Sequence, residues 1–140
     1  MQRDESTIQL NINYRESVLA RDDRDEKASL RAGDRAPDSN RLMTVGGQRR
    51  LFELTRGGRF TLLSYGPKPR LEPSPFDVRT LYVVENPVAS DEIADPEGQL
   101  TRLYGATART LILIRPDGYV ALISDAGDLS EVRDYLAAIG

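Results

Sequence analysis

Apolar and polar residues alternate or cluster along the chain in patterns that predict six β-strands. The first stretch alternates strictly, because Ile8, Leu10, Ile12 and Tyr14 are separated by polar side chains, and this is typical of a strand with one buried face. The others are short, largely apolar runs bounded by turn residues. The predicted strands cover residues 7–14, 42–45, 60–65, 78–84, 110–114 and 119–124.

The last two predicted strands are joined by four residues with strong turn preferences, Arg115-Pro116-Asp117-Gly118. Pro116 fits the first central position of a turn because its φ is fixed, and Gly118 tolerates a positive φ. We therefore predict an antiparallel β-hairpin whose turn is made by Pro116, Asp117 and Gly118.

Helical patterns are fewer. After Asp128, apolar residues recur every three or four positions, which predicts an amphipathic helix over residues 128–139 with Asp128 as its N-cap. Weaker patterns predict a helix over residues 49–55 ended by Gly57-Gly58, a helical turn over 91–94, and a short helix or extended piece over 100–104.

This order of elements predicts an α/β domain, a thioredoxin-like mixed sheet with flanking helices and an extra N-terminal strand. A length of 140 residues corresponds to one domain of this kind. All seven residues from 21 to 27 are charged, which predicts a solvated connector. We therefore divide the chain into an N-terminal strand and connector, residues 1–27, and a thioredoxin-like domain, residues 28–140.

The absent residue types restrict the chemistry further. The chain contains no Cys and no His, which carry most thiol chemistry, most transition-metal ligation and most acid–base catalysis near neutral pH. Thiol redox sites, zinc or haem sites and His-based triads are therefore excluded. Ser64 and Ser124 have no His to activate them as nucleophiles, and we predict no catalytic residue.

Charge argues against two classes of partner. The chain has 17 Arg and 2 Lys against 22 acidic residues, which gives a net charge of -3. Nucleic acid and anionic membranes instead attract a concentrated positive face. No apolar run is long enough to span a bilayer, and the polar, acidic start Met1-Gln2-Arg3-Asp4-Glu5 does not resemble a secretory signal. We expect a cytoplasmic protein that binds neither nucleic acid nor membrane.

Two stretches resemble a known family. Residues 30–38, LRAGDRAPD, with the apolar runs at 51–54 and 59–63, resemble the entry to the core of peroxiredoxin-type proteins. They are more similar still to the C-terminal domain of flavin-dependent aromatic-ring hydroxylases of the phenol-hydroxylase type. Residues 104–122 resemble that same hydroxylase domain, whose hairpin commonly reads R-P-D-G-x-V-A. The resemblance covers residues 8–139, nearly the whole chain.

The resemblance implies a C-terminal, thioredoxin-like hydroxylase domain standing alone, with no catalytic or cofactor-binding residue of its own. FAD would belong to a partner flavoprotein, a monooxygenase of aromatic or polyketide substrates, and the chain would dock to it or form a homodimer. The glycine pairs at 46–47 and 57–58 do not form the G-x-G-x-x-G fingerprint of a dinucleotide site. Two alternatives stay open: a small aromatic-ligand-binding protein or tailoring enzyme that reuses the cleft of the fold, and a truncated hydroxylase fragment.

The resemblance also indicates where such a cleft would lie. Thioredoxin-like redox proteins carry their thiol directly after the strand equivalent to residues 60–64, where this chain has Tyr65-Gly66-Pro67-Lys68-Pro69-Arg70. Tyr65 and Tyr104 are candidates to line a pocket for an aromatic ligand, or are ordinary core and rim residues. Arg109, near the same place, is a candidate to meet an anion, or forms an ordinary ion pair.

The four acidic residues between positions 91 and 97 are the last candidate site, because their carboxylates could bind a hard cation. Their spacing lacks the alternating oxygen ligands and the central glycine of a calcium loop, so we predict a solvated acidic loop and no metal. The residues concerned are Asp91, Glu92, Asp95 and Glu97.

Overall fold

The structure is a computed structural model that describes residues 21–22, 30–66 and 78–139. The strand predicted over residues 7–14 lies outside these residues, as do residues 67–70 of the candidate cleft segment. The elements, in chain order, are β1 (Arg21–Asp22), β2 (Leu42–Thr44), β3 (Gly47–Arg49), α1 (Leu51–Leu54), β4 (Phe60–Ser64), β5 (Val78–Val83), β6 (Glu92–Ile93), α2 (Gln99–Tyr104), β7 (Leu111–Ile114), β8 (Val120–Ser124) and α3 (Leu129–Ile139).

Six strands form one mixed sheet in the order β1-β8-β7-β4-β5-β6. Strand β4 lies parallel to β5 and antiparallel to β7, which in turn pairs antiparallel with β8. This central arrangement, with helices on both faces, is that of a thioredoxin-like domain, so the predicted fold class is confirmed. Strands β2 and β3 form a separate antiparallel hairpin, which reaches the large sheet through a bridge between Met43 and Ala94.

The core lies on both faces of the sheet because successive side chains of a strand point to opposite sides. On β4, Phe60 and Leu62 pack towards α3, whereas Leu63 packs with the residues of α1 and α2. The sheet is therefore sandwiched, and its central strands read as continuous apolar runs, as expected when both faces are covered.

The predicted hairpin and the closing helix are confirmed. The hairpin turn is closed by the amide of Gly118, which donates to the carbonyl of Arg115 at 2.9 Å, and Gly118 has a φ of +90°. At the start of α3, the Asp128 carboxylate accepts the amide of Ser130 at 3.0 Å. The hydroxyl and the amide of Ser130 lower the pKa of Asp128, as expected for a carboxylate that caps a helix.

Two polar stretches contain short strands that were not predicted. Within the predicted connector, residues 21–22 form β1 and pair in parallel with β8. A sheet edge pairs through backbone groups, so charged side chains do not exclude a strand there. The helical turn predicted over residues 91–94 is replaced by β6, where the buried side chain of Glu92 accepts the amides of Val88 and Ala89 at 2.8 and 3.1 Å.

The helix predicted over residues 49–55 is shorter than expected, and the hairpin strand β3 that precedes it was missed. Helix α1 ends before Thr55, whose amide donates to the carbonyl of Leu51 at 3.0 Å. The prediction that Gly57 and Gly58 end the helix is therefore wrong. Both lie in the loop that follows it, where each has a positive φ. In β5, predicted to be a buried strand, only Leu81 is buried.

Candidate functional site

A cleft of about 610 Å³ opens at the edge of the sheet where β4, β5 and β6 end. In open α/β sheets, this carboxyl edge of the strands is where ligands bind. We call it the Tyr65 cleft. Its walls come from the strand ends, the start of α2 and the loop before β7: Tyr65, Val83, Val84, Glu85, Ala94, Asp95, Pro96, Thr101, Ala106, Thr107 and Ala108.

Three polar side chains of the Tyr65 cleft, those of Tyr65, Thr101 and Asp95, are connected by hydrogen bonds. Thr101 Oγ1 donates to Asp95 Oδ2 at 2.7 Å, so the phenol of Tyr65, 3.3 Å from Thr101 Oγ1, must be the donor in that pair. Asp95 also accepts the amides of Leu100 and Thr101 at 3.1 and 2.8 Å. The carboxylate of Asp95 is thereby committed to holding the start of α2.

Burial raises the pKa of Tyr65 to about 12, and the charge of Asp95 raises it further. The phenol is therefore protonated at neutral pH, and it can donate a hydrogen bond but not act as a general base.

Tyr104 does not line the cleft. Its side chain is fully buried, and its hydroxyl donates to the carbonyl of Pro37 at 2.5 Å. Burial is the main cause that raises the pKa of Tyr104 far above that of a free tyrosine. The residue thus ties α2 to the loop that precedes β2, which is a structural position.

Arg109 does not line the cleft either. It is exposed, and its Nη2 donates to the carbonyl of Ala126 at 3.0 Å. Its backbone packs tightly against Gly127, where an added Cβ would lie 2.5 Å from the Arg109 carbonyl oxygen. Of the three cleft residues proposed from the sequence, the structure therefore brings only Tyr65 to the cleft wall.

Three carboxylates of the acidic loop form hydrogen bonds or an ion pair with other groups of the chain. Glu92 and Asp95 accept backbone amides, and Glu97 forms an exposed ion pair with Arg41 at 3.1 Å. Among the described residues, no group of three side chains is placed to hold a metal ion.

At each helix start in the described part of the chain, a carboxylate of the chain itself accepts one or two backbone amides. Asp38 accepts the amide of Phe52 in α1 at 2.9 Å, Asp95 accepts two amides of α2, and Asp128 accepts the amide of Ser130 in α3. A dinucleotide places its diphosphate on such free amides. The described residues therefore do not fit a flavin dinucleotide held in this way.

The sequence reasoning missed how Asp95 is used and which strand ends form the cleft walls. No signal for the first exists at the cap itself, because the N-cap of α2 is Gly98, which has no side chain, and Asp95 lies three residues earlier. No local signal identifies Val83, Val84 and Glu85 as wall residues, since their role follows from the parallel pairing of β5 with β4 and β6.

The chain belongs to the family of aromatic-ring hydroxylase C-terminal domains, whose family model matches residues 29–139. It is 38% identical over 133 residues to a flavin-dependent monooxygenase of Mycobacteroides abscessus, a match that covers 94% of this chain and 22% of the relative. The predicted family resemblance is thereby confirmed.

Two solved structures are similar to this chain. One is the flavin-dependent monooxygenase PieE in complex with FAD and substrate, with a TM-score of 0.58 and 25% identity over 84% of this chain and 22% of that protein. The other is aklavinone-11 hydroxylase with FAD and aklavinone, with a TM-score of 0.57 and 25% identity over 86% of this chain and 24% of that protein. The chain spans less than a quarter of the length of each of these relatives.

Proposed function

We propose that this chain acts as a non-catalytic association domain for a flavin-dependent aromatic or polyketide monooxygenase. It docks to the flavoprotein that carries FAD, or pairs with a second copy of itself, and supplies no reacting group. Family membership and the fifth of the relative's length that the chain matches support this proposal.

One structural observation carries the proposal. At each helix start in the described part of the chain, a carboxylate, from Asp38, Asp95 or Asp128, accepts backbone amides that a diphosphate would need, which supports a role in which FAD is bound by another protein. The absence of Cys and His adds that the thioredoxin-like position after β4 has no thiol to react. These two observations support a role in binding to another protein.

The β2–β3 hairpin is the surface that we assign to this association. It lies outside the large sheet and exposes two apolar side chains, Met43 at 39% and Val45 at 56% of their full area. Exposed apolar side chains that lie close together on a soluble domain mark interaction surfaces. Val88, at 82%, is more exposed but lies in the separate loop before β6.

Coexpression with a flavin-dependent monooxygenase of the same genome tests the proposal. Size-exclusion chromatography with light scattering and visible absorbance should show this chain eluting together with flavin, or as a dimer when expressed alone. Val45→Asp should weaken the association, whereas Val88→Asp, the matched control, should not. A strict monomer that neither binds the flavoprotein nor changes its hydroxylation rate would overturn the proposal.

A second candidate function is favoured by the Tyr65 cleft itself. Its volume and apolar walls suit a small aromatic molecule, and Glu85 and Asp95 at its rim favour a neutral or cationic ligand over an anion. Amide shifts at residues 83–85 and 106–108 on addition of a neutral aromatic polyketide would support this function. Shifts absent at saturating ligand would exclude it.

No helix in the described part of the chain is long and apolar enough to cross a membrane. The cytoplasmic location stays a prediction.

A further inference from the structure

A second cleft, of about 400 Å³, lies at the opposite end of β4 from the Tyr65 cleft. Its floor includes Ile114, which pairs with Thr61 near the start of β4, whereas Tyr65 follows the end of that strand. Helix α1 and the β7–β8 turn form its two sides, with Leu51 and Phe52 on one side and Pro116 on the other. We call it the Phe52 cleft.

The Phe52 cleft combines an apolar floor with an exposed ring. Leu51 is fully buried and Ile114 nearly so, whereas Phe52 is 44% exposed although it belongs to a helix that packs on the core. An aromatic side chain beside an apolar floor offers a flat molecule both a stacking surface and dispersion contacts. The cleft therefore suits a flat aromatic body.

Two guanidinium groups supply the charge of this cleft. Arg35 and Arg56 are exposed and line it, and neither forms an ion pair in the part of the chain that the structure describes. The guanidinium of Arg35 is positioned 5.4 Å from the ring centre of Tyr119, which holds it by a cation–π contact.

The acidic side chain at the rim does not cancel this charge. Asp117 already pairs with Arg115 at 2.7 Å. The Phe52 cleft is thus locally positive on a chain whose net charge is -3, the reverse of the Tyr65 cleft with its two carboxylates. Arginine binds carboxylates with paired, directional hydrogen bonds.

We propose that the Phe52 cleft binds an aromatic carboxylate, with the ring stacked on Phe52 above the apolar floor and the carboxylate bound by Arg35 and Arg56. This site is separate from the association surface and from the Tyr65 cleft, and it does not depend on the proposed function.

The test uses the whole chain, with naphthoate as probe and uncharged naphthamide, which has nearly the same shape, as control. Calorimetry should show saturable binding of naphthoate about tenfold tighter than that of naphthamide, and the preference should fall as salt screens the two charges. Amide shifts should centre on residues 35, 52, 56 and 116–118. Equal affinity for both compounds, or shifts centred on the Tyr65 cleft, would overturn the proposal.

Variants provide a second readout. Arg35→Gln and Arg56→Gln should each weaken naphthoate binding about tenfold and leave naphthamide binding unchanged. Phe52→Ala should weaken binding of both compounds, because it removes the shared stacking surface. Arg133→Gln, an exposed arginine on α3, is the matched control and should change neither. If Arg35→Gln does not fold, as judged by circular dichroism, Arg56→Gln and the naphthamide comparison still decide, and wild-type affinity in Arg56→Gln would overturn the proposal.

Discussion

The contact between Gly127 and Arg109 gives the sharpest test of how the loops beside the Tyr65 cleft pack. Gly127 has a φ of +74°, and a Cβ there would lie 2.5 Å from the Arg109 carbonyl oxygen and 3.2 Å from the Arg109 Cβ. Gly58 has nearly the same φ, +70°, but a Cβ there would meet nothing within 4 Å. Gly58→Ala is therefore a matched control with the same backbone strain and no clash.

The expected loss in free energy of unfolding has two causes, the backbone strain of an alanine at positive φ and the steric clash with Arg109. An alanine in the left-handed region costs about 1–2 kcal/mol, and forcing an extra carbon into packed structure costs about 1–3 kcal/mol more. Gly58→Ala should show only the first term and Gly127→Ala both. With a urea dependence of about 1–3 kcal/mol per molar, the two unfolding midpoints should differ by about 1 M.

Urea unfolding followed by circular dichroism measures this difference directly. A lower midpoint for Gly127→Ala, with an unchanged slope, would confirm that the β8–α3 loop packs against the backbone of Arg109. Equal midpoints for the two variants would refute the packing of these loops and with it the placement of Arg109.

Two further predictions concern the tyrosines. Tyr104→Phe removes the hydrogen bond that the hydroxyl donates to the Pro37 carbonyl. Because this carbonyl is only half-buried and water can take the place of part of the lost bond, the free energy of unfolding should fall by about 1 kcal/mol. An unchanged urea midpoint would contradict this. The pKa of Tyr65 is raised from 10.0 to about 12, so its contribution to stability is complete below pH 10 and is lost as the pH rises towards 12. Ultraviolet titration of the wild type and Tyr65→Phe should differ by one tyrosine that ionises near pH 12, and a difference at pH 10 would contradict the burial of this phenol.

The elements that could be predicted from the sequence are those whose signal is local. The hairpin turn at Pro116–Gly118 and the capped helix after Asp128 depend on residues within a few positions of one another, and both are confirmed. Strands β1 and β6 could not be predicted, because two-residue strands exist only through pairing with β8 and β5. Their side chains carry no alternating pattern that would indicate a strand.

The candidate site was predicted in part for the same reason. Tyr65 could be placed at the cleft because it is the last residue of a predicted core strand. Tyr104 and Arg109 could not be placed, since the direction of a side chain from a short helix or a loop depends on tertiary packing. The Phe52 cleft joins residues from three separate parts of the chain, 35–36, 51–56 and 114–118, and no single stretch of sequence indicates it.

We propose that this chain associates with a flavoprotein or with a second copy of itself and does not bind the flavin. The most direct test of this proposal is the flavin content per chain, measured by visible absorbance for the isolated chain incubated with FAD and for its purified complex with a flavin-dependent monooxygenase of the same genome. We expect no flavin on the isolated chain and one flavin per monooxygenase in a stable complex. Stoichiometric FAD on the isolated chain, or the absence of both a complex and a dimer, would contradict it.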